Sequence, residues 1–276
     1  MGTNPLYDHF HTVPRPELET TFECWTATPA RDTRRVKLGQ MVDCNGYRNP
    51  TLYAKIASTV DVASHGRLYA GFGASWYQHE WTAYGYEWPE TPERMARFKE
   101  AVEIVHKMWT EDYPEFHGKY YQIDRPINEP KGLQQPHIPL WIGGSGPKVT
   151  LRLVARFADA CNLGPAGPET VRPKRETLKE HCENEGRDSS SIIKSVEMNT
   201  CLLLPGEDPA KVKVQGGMTR EEFEKAFLIG TVDQISERIQ GHVDAGVDYV
   251  IVYQPNIAYN QDRVRYFASE VIPRFA

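Results

Sequence analysis

The chain has 276 residues, 40% of them hydrophobic and 25% charged, which suits one globular domain with a sizeable core. A formal net charge of −5 leaves no basic stripe for nucleic acid or an anionic membrane surface, so neither is expected as a partner. Five cysteines (Cys24, Cys44, Cys161, Cys182 and Cys201), odd in number and with no C-x-x-C pair, argue against a disulfide framework or a zinc knuckle. With no apolar run of membrane-spanning length and no leader-like start, the expected location is the cytoplasm.

In chain order, "PLYD" (Pro5 to Asp8) reads as a first strand and "RVKLGQMV" (Arg35 to Val42) as a second. A helix follows, capped by Asn49, with Pro50 in its first turn, apolar positions Leu52, Ile56, Val60 and Ala63, and a stop at Gly66. "LYAGFG" (Leu68 to Gly73) is the next strand. An excursion over about residues 76–139 carries a helix from Thr91 and Pro92, with Met95, Phe98, Val102, Val105 and Trp109 three and four apart, then the hairpin-like "EFHGKYYQID". The chain returns with the strand "LWIG" and an amphipathic helix whose first position is assigned to Pro147. After "DACN" come a helix ending near Gly186, the strand "VEMNTCLLL", a helix with a capping box at Thr219 and Glu222, a further helix from Thr231, and "YVIVYQ" (Tyr249 to Gln254).

Repeating β and α units, with a hydrophobic run for every strand, predict an α/β fold with a parallel sheet covered by helices. At this length a TIM-type (β/α)8 barrel is the first choice and an open doubly wound sheet the second. Seven strands are legible, and nothing before Pro5 supplies another strand and helix, so the barrel reads as lacking its first βα unit.

In such barrels the chemistry sits where strands end and βα loops begin. Gly143, Gly144 and Gly146 lie between a strand and a helix, where backbone amides and the positive helix end converge, as a phosphate cradle requires. Neither the P-loop nor the G-x-G-x-x-G fingerprint fits this turn, and "GFGASW" has Trp76 in place of the last glycine. The plainer reading is that these glycines only let strands turn tightly into helices; two such junctions favour a phosphate-bearing cofactor. "DHFHT" carries Asp8, His9 and His11 at a strand end. A metal-dependent hydrolase uses an H-x-H pair in this way, but the later strand ends read "IGG", "ACN" and "YQP" and supply no further ligands, so a general acid role is preferred to a metal site. The aromatic stretch from Trp76 to Trp88 suits either the wall of a planar ligand or the core of the excursion. Ser75 has no G-x-S-x-G elbow around it.

The runs "YDHF", "GQMVDCNGYRNPTLYAKIAS", "GRLYAGFGASW", "FHGKYY", "PLWIGGSGPKVTLRLVARFADACN" and "AGVDYVIV" together resemble the luciferase-like monooxygenase superfamily, closest to its F420-dependent oxidoreductase branch. The resemblance implies a TIM-type barrel over residues 1–276, usually dimeric, binding coenzyme F420 or, alternatively, FMN. It also implies a non-prolyl cis peptide bulge at Met41 and Val42, close cofactor approach at Gly73 and Ala74, a phosphate site at Gly143, Gly144 and Ser145, and Asn162 at the neighbouring strand end. By the same resemblance, Asp8 and His9 are expected on the reactive face of the ring, as the catalytic pair.

There are departures from the family pattern. The sugar-phosphate dehydrogenases of the branch have an acidic residue where this chain has Ala74 and a Trp near the place of Val13, and "NLGPAGPE" lacks their phosphate-holding Lys. The expectation is therefore an F420-dependent oxidoreductase acting on a small apolar carbonyl or conjugated alkene. The alternatives are an FMN-dependent monooxygenase and a truncated, inactive cofactor-binding barrel.

Overall fold

The computed structural model describes residues 3–6, 27–165, 167–214, 218–257 and 259–275. The chain divides into two compact units, residues 1–161 with 178–192, and residues 162–177 with 193–276.

The first unit is built on parallel strands. Strand β1 (Thr3–Leu6) pairs with β2 (Lys37–Gln40) after helix α1 (Ala27–Asp32), with Thr3 opposite Lys37. The short β3 (Asp43–Cys44) leads into helix α2 (Pro50–Ala63). Asn49 caps α2 by accepting from the Thr51 N–H at 2.9 Å, and Pro50 occupies the first turn, where no N–H is needed. His65 (φ 57°) and Gly66 (φ 74°) close the helix in the left-handed region. Strand β4 (Leu68–Gly73) pairs with β2, β3 and later β7. Its start is anchored by the buried Arg67, whose guanidinium donates to the carbonyls of Ala30, Thr33, Val36 and Ser64 and so ties α1 to the sheet.

The excursion contains helix α3 (Gln78–Ala83), helix α4 (Thr91–Thr110) and the antiparallel hairpin β5 (Glu115–His117) and β6 (Gln122–Asp124). The apolar stripe of α4 is buried at Phe98, Val102, Val105 and Trp109, and the Trp109 indole donates to the Ala54 carbonyl of α2 at 3.1 Å. Strand β7 (Leu140–Gly143) pairs with β4, and helix α5 (Thr150–Phe157) buries Leu151, Leu153 and Val154. Strand β8 (Ala160–Asn162) and helix α6 (Pro168–Asn184) cross the division between the units.

In the second unit, β9 (Ile193–Leu202) is central. It pairs in parallel with β10 (Leu228–Gly230) and β11 (Tyr249–Tyr253). Period two puts Met198 and Leu202 on one face, where they meet Ile235 and Ile239 of helix α8 (Val232–Asp244) and Tyr266 and Phe267 of helix α9 (Asp262–Glu270). Helix α7 (Arg220–Ala226) starts from the Thr219–Glu222 capping box, and Phe223 packs with Cys201 and Val212. Thr231 and Gln234 form a second capping box.

Three readings of the sequence are corrected. Pro147 is not the first residue of its helix: Pro147–Val149 form turns, Leu151 N–H reaches back to Gly146 O at 3.0 Å, and α5 starts at Thr150. The described strands exceed seven, because β3 and β10 are only two and three residues long and β10 sits between two helix caps. The first strand starts at Thr3 rather than Pro5 and is described to Leu6; Tyr7 and Asp8 lie outside the described residues.

Candidate cofactor site

The second strand stops at Gln40, and the Met41–Val42 peptide is cis, at the position the resemblance implies. The Val42 side chain lies over the neighbouring strands where they carry glycine. A Cβ on Gly73 would sit 2.5 Å from Val42 Cγ2, one on Gly143 2.9 Å from both Val42 methyls, and one on Gly71 3.2 Å from Cγ1. The absent side chains of Gly73 and Gly143 thus make room for Val42, and that of Gly71 chiefly for the Gln40 carbonyl, so Val42, Gly73 and Gly143 form one packed junction at the ends of β2, β4 and β7. The sequence suggested a different occupant for that space at Gly73 and Gly143, namely cofactor.

The turn beyond β7 is built differently. Gly144 has φ 100°, which only glycine adopts readily, while a Cβ there would find just Thr150 Cγ2 at 3.6 Å. The N–H groups of Ser145 and Gly146 donate to no acceptor among the described residues. They precede α5, whose N-cap residue Val149 supplies no side-chain cap. A half-exposed turn with free amides and an uncapped helix start is a donor-rich cradle of the kind a phosphate fills. These residues fit a phosphate-bearing cofactor.

Beside this junction, Ala74 lines a cleft of about 400 Å³. Trp81 and Tyr86 form part of its wall, with Trp81 seated on Gly46 and packed edge-on against Trp88 at 5.1 Å. Of the aromatic stretch, Trp81 is buried, whereas Trp76 is 66% exposed and lies tilted against Tyr77 at 5.3 Å. The cleft also exposes three arginines, Asn45 and Tyr121, which sequence reasoning passed over. Arg48 pairs with Asp43 at 2.8 Å and Arg97 with Glu93 at 2.6 Å. Arg94 lies 3.8 Å over the Trp88 ring, and its Nε and Nη1 are buried with no hydrogen-bond partner among the described residues. Burial holds its pKa below the usual arginine value despite nearby Glu90, yet an arginine stays charged at neutral pH. One signal was available: Arg94 is a cation near the start of α4, where the helix dipole disfavours it.

Asn162 belongs to the second unit, where its amide is used locally: Nδ2 donates to Ser195 Oγ at 3.2 Å and Oδ1 accepts from Gly164 N–H at 2.8 Å. In the same unit, burial pushes the Glu197 carboxyl above the usual carboxylate range. Asp8 and His9 lie outside the described residues, and among the described residues no three metal-ligating side chains cluster. No helix among them is long and apolar enough to cross a membrane.

Residues 8–215 match the luciferase-like monooxygenase family. The chain belongs to that family. It is 29% identical over 292 residues to an F420-dependent glucose-6-phosphate dehydrogenase of Kineococcus radiotolerans, a match covering 90% of this chain and 81% of the relative. It is 26% identical over 259 residues to an FMNH2-dependent dimethylsulfone monooxygenase of Pseudomonas putida, covering 82% and 70%. A solved F420-dependent secondary alcohol dehydrogenase in complex with an F420-acetone adduct superposes with a TM-score of 0.79 at 20% identity, covering 96% of this chain and 88% of that one. That likeness shows the fold, an α/β chain of the TIM-type barrel class, and the family makes the protein an oxidoreductase.

Proposed function

We propose that this luciferase-like protein is an F420-dependent oxidoreductase that moves a hydride between the reduced deazaflavin and a small apolar carbonyl or conjugated-alkene substrate. The observation that carries the reading is the turn at Gly143, Gly144 and Ser145, where the Ser145 and Gly146 amides, with no acceptor among the described residues, and the following helix offer donors to a cofactor phosphate. When bound, F420 supplies a hydride at C5 of its ring. In this reading Ser145 and Gly146 N–H hold the phosphate, and the Met41–Val42 bulge, braced by Gly73 and Gly143, supports the ring. Ala74 leaves open space beside it, Asn162 holds the start of the Gly164 loop, and His9, oriented by Asp8, gives or takes the substrate proton.

An apolar substrate is preferred to a sugar phosphate. The segment after Asn162 lacks a lysine until Lys174, whose Nζ donates to the Leu163 carbonyl at 3.0 Å. A cytoplasmic homodimer is part of the same proposal. The second reading, an FMN-dependent monooxygenase, is favoured by the dimethylsulfone monooxygenase relative.

The test is to titrate the purified apo protein with F420 and with FMN, following ligand fluorescence, and then to monitor deazaflavin absorbance with small ketones and enones. Tight F420 binding with hydride exchange is expected. Binding of FMN alone refutes the F420 reading. His9→Ala is expected to lower turnover about 10²- to 10⁴-fold with cofactor affinity nearly unchanged.

A further inference from the structure

We infer that Asn45, Arg94 and Tyr121 form a subsite for an amide-linked carboxylate, the oligoglutamyl tail that continues from the F420 phosphodiester. This inference rests on the F420 reading above. Asn45 is 5% exposed, lines the cleft, and its Oδ1 has no hydrogen-bond partner among the described residues. Its Nδ2 is 3.5 Å from the Tyr121 hydroxyl. Across the same cleft Arg94 keeps Nε and Nη1 buried and unpaired, with Nη2 committed to Thr91 Oγ1 at 3.0 Å. The other two arginines of the lining already have carboxylates.

Guanidinium nitrogens and an amide oxygen that are buried with no hydrogen-bond partner among the described residues are each costly, so together they describe the ligand they lack. The cation calls for an anion and the amide oxygen for an N–H donor. A fully ionised phosphate monoester, the end of FMN, supplies acceptors only. A glutamyl residue joined through an amide supplies both a carboxylate and an N–H. Position agrees with chemistry: Ala74 lines the cleft, and the preceding Gly73 sits beside Gly143, with 4.0 Å from the place of its Cβ to the Gly143 carbonyl. The cleft of about 400 Å³ and the phosphate turn thus both lie at the C-terminal ends of the paired parallel strands β4 and β7. The subsite favours the tailed deazaflavin over FMN, which ends at its phosphate.

The experiment compares apo wild type, Arg94→Met and Asn45→Asp for binding of three probes: F420, FMN, and the tail-less, phosphate-free deazaflavin riboside. Arg94→Met keeps a stem to pack on Trp88 and removes the charge. It is expected to weaken F420 about 10- to 100-fold while FMN and the riboside stay within about 2-fold of wild type. Asn45→Asp removes little volume and sets a carboxylate against the tail, so it is expected to weaken F420 alone as well. Circular dichroism and the melting temperature confirm the fold, and Asn45→Asp carries the test if Arg94→Met does not fold. Equal losses for F420 and FMN place Arg94 on the phosphate and overturn the inference, as does unchanged F420 affinity in both variants. Wild type that binds no F420 overturns the F420 reading and the inference with it, whereas variant-independent F420 binding overturns the inference alone.

Discussion

Replacing Gly73 with alanine tests whether Val42, rather than a ligand, fills the space above the strand end. A methyl at residue 73 would lie 2.5 Å from Val42 Cγ2 but 3.8 Å from Val42 Cβ. The valine methyls therefore make the clash, and alanine at position 42 leaves only an ordinary contact. Overpacking by one methyl typically costs about 1 to 3 kcal/mol, and Gly73→Ala should fall in that range in the apo protein. Val42→Ala alone removes two methyl groups from a partly buried position, roughly 1.5 kcal/mol at about 0.8 kcal/mol each. In the double variant the clash is gone, so its stability should match Val42→Ala or exceed it, a coupling of about 1 to 3 kcal/mol. Urea unfolding of the four proteins without cofactor measures each term. If the single effects add to within about 0.5 kcal/mol, Val42 does not occupy that space and the packed junction of β2, β4 and β7 is wrong.

Ser145→Asp sets a negative charge on the turn without demanding an unusual φ, so cofactor affinity should fall about tenfold or more while the apo melting temperature holds; unchanged affinity removes the phosphate from this turn. Gly144→Ala behaves oppositely, because φ 100° penalises any Cβ, and it should destabilise the apo protein by about 1 to 3 kcal/mol. His106 and His242 both have pKa values lowered by burial, with His137 and Arg238 respectively adding to the effect. Above pH 6.5, the ordinary histidine value, both are neutral folded or unfolded; as pH falls through 6.5 the unfolded chain takes up protons that the folded state resists, so stability drops. A melting temperature recorded from pH 8 to 5 should decline, and His106→Gln should flatten the decline; an equal slope in both proteins refutes the assignment.

How much of this was legible depended on whether a feature is written locally. Asn49, Thr219 and Thr231 cap helices through hydrogen bonds spanning two or three residues, so the sequence alone located those starts. "LYAGFG" is a strand over the residues expected, because six residues of buried β pattern end in a glycine pair. The three residues of β10 carry no period at all and are a strand only because Leu228 to Gly230 pair with Thr200 to Leu202. Gly73 and Gly143 stood out in the sequence, but glycine says only that something comes near; that Val42 does so requires strands distant in sequence to be set side by side. The turn at Gly144 reads as a cradle from its glycines, while the start of α5 at Thr150 depends on the turn over residues 147–149 that no local cap announces. Arg94 shows the limit most clearly. Its position near the start of α4 opposes the dipole, a local hint that something compensates, but whether that is solvent, a carboxylate or a ligand depends on Asn45, Trp88 and Tyr121. Those residues lie six to forty-nine positions away along the chain, and only the fold brings them to one cleft.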